Sequence, residues 1–427
     1  MAVIRPFFAT RYNPNQAPLE RVVAPPYDVI SPKEQDELYE LSPYNCIRLI
    51  LNREEKGDQP AGRYERAAHF WNEWRRVGIL TQDEQPSFYL YQQEFTDPLC
   101  ARRLSRTCLY AALRLEPYST GTVIPHEETR SQAKQDRLLL MRAMKANPEP
   151  IFGLYQDDSL SVAGLINGSS CNLIPLADIS FQGERHRLFR FQSEDSQRQI
   201  VERFQDKKIW IADGHHRYET ALAYRDEARS PTSDGEPDYI LIGLVALNDS
   251  GLVIHPTHRL VKKVSPERLR NLAASLDDDF TVTPITEQSA LNYPIERHQL
   301  ICALPNRCLL LSLKGDDAAH YNDAAHSQAW RNLDVVILQR LVLEKRLGIP
   351  AAALATTPDI GYTRSRQEAL QGVQKGEFQA AFLLREPTVQ ELQGVAVSGD
   401  KMPPKSTFFY PKLLSGLVMR SLQSSEK

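Results

Sequence analysis

Residues 208–217 read Lys208-Ile209-Trp210-Ile211-Ala212-Asp213-Gly214-His215-His216-Arg217, and Tyr218 to Ala228 continue with helical spacing. The stretch predicts a short apolar strand, a turn and a helix. Gly214 lets the backbone turn sharply and allows a ligand to approach the chain closely. A helix start presents N–H groups without intrahelical acceptors and the positive end of the macrodipole, so this layout is that of an anion site. Imidazole from His215 or His216 and the Arg217 guanidinium complete a phosphate clamp, the arginine binding in bidentate fashion. Adjacent histidines on a helix start point about 100° apart, so at most one of them faces a ligand. Asp213 is either the N-cap or a carboxylate turned toward a metal ion or the substrate. A capped helix with two surface histidines is the plainer alternative.

Upstream stands Ile124-Pro125-His126-Glu127-Glu128-Thr129, just ahead of a helix expected over Asp136–Ala146. Four residues after His126 comes Arg130 rather than a second histidine, which excludes a zincin motif. Glu127 or Glu128 is a candidate general base, a role that needs a carboxylate within hydrogen-bond reach of a hydroxyl. Acids near a helix start also occur simply because the dipole favours them. Downstream, His255-Pro256-Thr257-His258-Arg259 follows an apolar strand expected at Tyr239–Leu247. Two imidazoles three residues apart, with an arginine, suit a metal or phosphate site, though such residues are more often satisfied loop groups. Lys401 to Lys412, with Lys405 at its centre, reads as a solvated basic loop or as a phosphate-facing loop that closes over a site.

No Walker A sequence, dinucleotide-binding glycine fingerprint, nucleophile elbow or kinase signature is present, so any nucleotide is held in another way. The 427 residues carry 42% hydrophobic and 25% charged side chains, figures ordinary for a soluble globular protein. A formal charge of −3 supplies no basic excess for non-specific nucleic-acid binding, which disfavours a nucleic-acid partner. Cys46, Cys100, Cys108, Cys171, Cys302 and Cys308 are scattered without a C-x-x-C pair, as expected in a reducing compartment. Arg5 and Pro6 interrupt the N-terminus too early for a signal peptide, and the longest apolar run is too short to span a bilayer. The expectation is a cytoplasmic protein with no membrane partner.

Three sections are expected: 1–115, 116–260 and 261–427. The first opens with Pro25-Pro26, which excludes a helix there, and Ser31-Pro32-Lys33-Glu34 then caps a helix running to about Leu41. A second helix is expected over Gly62–Val77, and strands at Ser87–Tyr91 and Leu109–Leu115. In the middle section a strand is expected at Ile151–Tyr155, followed by poorly patterned strands and turns, and 230–238 reads as a surface linker. The last section is α+β, with helices near Pro266–Leu276 and Asp334–Leu347, strands near Cys308–Leu313 and Ala380–Leu384, and a charged tail.

Five stretches, APPYDVIS (24–31), PHEET (125–129), IADGHHRYETAL (211–222), HPTHRL (255–260) and MPPKSTFFYPK (402–412), resemble in number and order domain-of-unknown-function family 1015 over nearly the whole chain. That family implies no activity. The strand-DGHHR-helix unit, preceded by Pro-His-Glu, also resembles the ParB/sulfiredoxin superfamily, and most of all its free serine kinases. The fold so implied is α+β: a ParB/sulfiredoxin-like nucleotide-binding domain at 116–260 with a large insertion at about 156–205, flanked by α+β sections that lack a counterpart there. The same resemblance implies Glu127 as base on a serine hydroxyl and Gly214, His215, His216 and Arg217 as a phosphate cradle. It implies further that Asp213 faces substrate or Mg²⁺.

The function expected is a phosphotransferase acting between a nucleotide, ADP or ATP, and the hydroxyl of a small molecule such as free serine. Glu127, Asp213 and His216 are its candidate catalytic residues; Gly214, His215, Arg217, His126 and Lys405 are its candidate nucleotide ligands. Two alternatives stand beside it. One is a nucleotide-responsive binding protein without small-molecule turnover, and the other a metal-dependent hydrolase built from His126, Glu127, His215, His255 and His258.

Overall fold

The computed structural model describes residues 1–170, 174–191, 193–228, 235–315, 323–351 and 359–423, and of 167–170 the backbone alone. Cys171, residues 230–234 of the expected linker and the end of the charged tail lie outside the described residues. The five described cysteines carry free thiols, and only Cys100 is exposed. The architecture is mixed helix and sheet, as expected, and contacts gather the chain into two compact units. One comprises 1–125, 129–252 and 411–427; the other comprises 126–128 and 253–410. These units cut across the sections read from the sequence.

A nine-stranded sheet organises the first unit. Its strands run in the order Val123–Ile124, Ile209–Asp213, Ile151–Tyr155, Tyr239–Ala246, Arg103–Arg114, Tyr89–Thr96, Glu184–Arg190 and Ala177–Phe181. Ile4–Arg5 adds to the Arg103–Arg114 strand. Most pairings are antiparallel, but Tyr239–Ala246 runs parallel to Ile151–Tyr155, and Ile209–Asp213 runs parallel to Val123–Ile124. Every residue of Tyr239–Ala246 is buried, which explains its unbroken apolar sequence. Alternate residues still divide between the faces: Ile209, Ile211, Ile240, Ile242 and Leu244 share one core cluster with Val162, Ile166, Ile200, Phe204 and Tyr218 of the covering helices. A four-stranded sheet of Leu80–Gln82, Ala9–Tyr12, Met419–Ser421 and Ala146–Asn147 ties both chain ends into this unit.

The helices begin where local chemistry caps them. Ser31 Oγ accepts from the Glu34 N–H and the Glu34 carboxylate accepts from the Ser31 N–H, so Pro32–Leu41 opens with a capping box. The second helix, Gly62–Arg76, buries Tyr64, Ala67, Trp71 and Trp74 along one stripe. Within 156–205, two helices, Ser161–Ser170 and Glu194–Phe204, stand where strands and turns were expected. The second has Ser193 as N-cap, acids in its first turn, and Ile200 and Phe204 buried. Only its widely spaced apolar positions weakened the helical signal. The Ser131–Met144 helix likewise starts five residues before the Asp136 expected, in a first turn of polar residues.

In the second unit a six-stranded antiparallel sheet runs Phe280–Ile285, Arg307–Leu313, Gln299–Leu304, Ala380–Leu383, His258–Val261 and Ile360–Thr363. Val261, Leu300, Cys302, Leu309 and Phe382 pack one face against the helices Pro266–Leu276 and Asp334–Glu344. The second of these turns from α to π geometry at Leu338. Leu260, Ile301, Ala303, Leu310 and Ala381 pack the other face against Arg366–Gln374. Val253–His255 pairs separately with Phe408–Tyr410. Among the described residues no helix is long and apolar enough to cross a membrane.

Candidate functional site

In the first unit, the Ile209–Asp213 strand ends in an irregularity. Its register against Ile151–Tyr155 shifts between Ile211 and Asp213, a bulge of the kind that re-aims a side chain at a sheet end. Gly214 follows at φ +89°, and a Cβ there would stand 3.0 Å from Ile151 Cγ2 and 3.1 Å from Arg217 Nε. The backbone conformation therefore favours glycine, and a larger residue would also press on these two side chains. The His215–Ala228 helix starts at once, and its fourth residue, Tyr218, donates its N–H to the Gly214 carbonyl at 3.0 Å.

Arg217 turns inward and is 7% exposed. Its Nη1 donates to the Pro150 carbonyl at 2.5 Å and its Nη2 to Asp213 Oδ2 at 2.7 Å, while Nε is buried without a hydrogen-bond partner among the described residues. Burial alone would lower its pKa; Glu149, Asp213 and Asp28 outweigh that and raise it. The other Asp213 oxygen, Oδ1, receives Lys412 Nζ at 2.5 Å. Lys412 is placed by its backbone, since Gln93 Nε2 donates to the Lys412 carbonyl at 3.0 Å and the buried Arg106 donates to the Pro411 carbonyl. Burial would raise the Asp213 pKa, but Lys412 and then Arg217 hold it down to about 2. Asp213 is thus a carboxylate with a cation on each oxygen, which leaves little room in its coordination for Mg²⁺.

Of the two histidines, His215 is buried and His216 half-buried, so only His216 stands partly open to solvent. Its Nε2 accepts the Arg130 N–H at 2.9 Å, which assigns the proton of the neutral ring to Nδ1. Burial lowers its pKa, against the opposing pull of Asp28 and Glu219.

The Pro-Pro-Tyr-Asp element joins the same neighbourhood. The Tyr27 N–H donates to Glu149 Oε1 at 3.0 Å, Ser415 Oγ donates to the same oxygen at 3.1 Å, and Arg137 lies over the Tyr27 ring at 3.9 Å. Burial raises the Glu149 pKa, opposed by Arg217 and Arg137. Asp28 keeps an exposed side chain, yet the protein packed around it raises its pKa and Asp213 adds to the rise, while Arg217 and Lys412 oppose it. Beside Tyr27 opens a recess of about 450 Å³ lined by Arg63, Tyr64, Arg130, Gln132 and Asp136, a size suited to a small organic molecule.

In the second unit, His126–Glu128 meets the MPPKST stretch. The Met402 N–H donates to the His126 carbonyl at 2.7 Å, Glu127 pairs with Met402 in a parallel bridge, and His126 Nε2 lies 2.9 Å from Thr407 Oγ1. Glu127 is half-buried and Lys405 exposed. His255 stacks on Tyr410 at 4.9 Å, and His258 Nδ1 accepts the Leu384 N–H at 3.2 Å. Burial, with Arg366 and Arg259 adding to it, pushes the His258 pKa down to about 3. Among the described residues no group of three or more His, Cys, Asp or Glu side chains is placed to hold a metal ion. The hydrolase alternative therefore lacks its metal centre among those residues.

The sequence singled out Lys405, which stands exposed in the second unit, and did not single out Lys412, Glu149 or Arg137. The closing Tyr410-Pro411-Lys412 of its last motif carried the signal for Lys412. Nothing local to the sequence marked the other two.

A family model described as "Protein of unknown function (DUF1015)" matches residues 4–336. The chain belongs to the DUF1015 family. No match was found among curated proteins. Solved structures similar to this DUF1015 protein include a conserved hypothetical protein from Pyrococcus furiosus, at 12% identity and a TM-score of 0.35 over 72% of this chain and 92% of that one. A free serine kinase in complex with AMP is similar at 12% identity and a TM-score of 0.35, over 71% and 86% of the two chains. SbnI from Staphylococcus aureus, with a C-terminal truncation, is similar at 11% identity and a TM-score of 0.36, over 74% and 90%. Scores at this level assign no activity to the present DUF1015 chain.

Proposed function

We propose that this DUF1015 protein is a phosphotransferase that moves a phosphoryl group between a nucleotide, ADP or ATP, and the hydroxyl of a small molecule, free serine being the acceptor its motif resemblance implies. One observation carries the nucleotide half of the reading. At Gly214 the absence of a side chain bares the backbone of the turn, the helix behind it presents its positive end, and Arg217 Nε, without a hydrogen-bond partner among the described residues, lies against the turn. These residues fit a phosphate group. Bound there, a nucleotide would supply the phosphoryl group for transfer.

The side chains divide the work. Lys412 and Arg217 neutralise Asp213 and fix it at the strand end, which lessens the negative charge a phosphate would meet there. Neutral His216 offers Nδ1–H as a donor, because Arg130 already occupies Nε2. Tyr27 and the recess beside it give a small molecule space in the same unit. Glu127 is assigned the hydroxyl proton on the strength of the Pro-His-Glu resemblance. Phosphoryl transfer asks for positioning and charge neutralisation more than covalent chemistry, and these residues are of the types that supply both.

Calorimetric titration of ADP and ATP into wild-type protein and Glu127→Gln tests the reading when paired with turnover of free serine. Binding in both and turnover in wild type alone is the expected pattern. Binding without turnover on any hydroxyl compound would replace it with the nucleotide-responsive binding protein.

A further inference from the structure

Arg259, in the HPTHRL motif of the second unit, is a buried cation to which no carboxylate among the described residues is paired. It is 1% exposed; its Nη1 donates to the Thr257 carbonyl at 2.5 Å, and its Nη2 reaches the Pro404 carbonyl only at 3.4 Å. The Tyr362 ring lies 5.2 Å from the guanidinium carbon. Two other buried arginines differ: Arg420 pairs with Glu236, and Arg346 with Asp279 at 2.5 Å. A charge taken out of water without a counter-ion is costly, and the usual compensation is a paired anion. Burial lowers the Arg259 pKa to about 10, with Tyr362 opposing, in keeping with that cost.

Above Arg259 lies the Pro403–Thr407 segment, held at both ends rather than in its middle. Met402 and Thr407 are both bonded to His126, as described above. Between them the segment meets Arg259 through the long Pro404 contact, Ser406 Oγ donates to the Pro403 carbonyl at 2.5 Å, and Lys405 takes a left-handed conformation at φ +59° with its side chain exposed. A non-glycine residue held there is strained, a feature that clusters at ligand clamps. Thr257, Arg259, Met402 and Ser406 line a recess of about 20 Å³ at this point, whose other wall includes Asp334 and Glu391, both already paired with Arg385. One or two oxygen atoms fit such a space, and a guanidinium fork matches two oxygens of one group.

We propose that Arg259 and the Pro404–Thr407 segment form an oxyanion subsite that receives the phosphate or carboxylate group of a small molecule. The incoming oxygens displace the weak Pro404 carbonyl contact, complete the unpaired guanidinium, and bring the Lys405 ammonium into play at the mouth of the recess. This site does not depend on the nucleotide reading of the Gly214 turn.

Hydrogen exchange followed by mass spectrometry on the full chain tests it, with inorganic phosphate, acetate or chloride at matched ionic strength. Phosphate or acetate is expected to slow exchange in 402–407 and 257–260, and chloride is not. Response to phosphate alone identifies a phosphate-bearing ligand; an equal or greater response to acetate identifies a carboxylate. Arg259→Gln is expected to abolish the protection, and Lys405→Gly, which suits the exposed left-handed position, to raise the half-saturating concentration roughly tenfold. Should Arg259→Gln fail to fold, Lys405→Gly decides. No protection of these segments in wild type overturns the proposal, even with protection around Gly214, and so does protection unchanged in the folded variants.

Discussion

Lys412 and Asp213 form an ion pair of 2.5 Å that joins positions 199 residues apart in the sequence. Each side chain is 13% exposed, so the pair is largely removed from water. Breaking such a pair leaves the second charge buried, which makes its partners interdependent. Lys412→Met is expected to destabilise the protein by about 3 kcal/mol, read as a lower midpoint of denaturant unfolding at an unchanged slope. Unfolding indistinguishable from wild type would show that Arg217 alone suffices for Asp213.

The same pair sets an acid limit. The folded-state pKa of Asp213, about 2, lies below its ordinary value of 3.8. A depressed carboxylate favours the folded state fully above its unfolded pKa and loses that contribution as pH falls. Stability measured from pH 5 downward should decline more steeply through the range from 3.8 to about 2 in wild type than in Asp213→Asn. Parallel curves would contradict the pairing.

His216 titrates with the opposite chemistry and the same direction of loss. Its folded pKa is lowered from 6.5, so the neutral ring is favoured and its contribution is complete above 6.5 and lost as pH falls below it. Protonation places a proton on Nε2, where the Arg130 N–H is accepted. An NMR titration should give His216 a pKa below 6.5, with the Arg130 amide shifting in step. A value above 6.5 would contradict that hydrogen bond.

Gly214→Ala tests the turn itself. The added methyl must share space with Ile151 and Arg217 in a backbone conformation that alanine disfavours, a cost of about 1–3 kcal/mol. The prediction is a loss of that size in unfolding free energy together with weakened ADP binding. Unchanged affinity would move the phosphate away from this turn.

Much of the fold was legible because its signals are local. Ser31-Pro32 announced the Pro32–Leu41 helix by capping chemistry, and the apolar run at 239–246 announced a buried strand. The strand-turn-helix layout around 213–217 was legible too, and so was the divergence of His215, which is buried, from His216, which is half-buried. What stayed hidden depends on pairing across the chain. That Arg217 would turn inward to Pro150 and Asp213 follows from the register shift at the strand end, which no local pattern encodes. That Lys412 rather than Lys405 would reach Asp213 depends on Gln93 and Arg106 fixing the 411–412 backbone, more than 300 residues away. Glu149 and Arg137 look like ordinary charged residues until Tyr27 is placed between them.

Mass spectrometry of small molecules tests the central claim most directly. The protein is incubated with Mg²⁺, ADP or ATP, and a pool of amino acids and small hydroxy acids, beside Glu127→Gln. The account predicts a new species heavier by one phosphoryl group in the wild-type reaction, formed roughly 10²–10⁴ times more slowly by Glu127→Gln. Product formation at the wild-type rate by Glu127→Gln, or no phosphorylated species from a protein shown to bind the nucleotide, would contradict it.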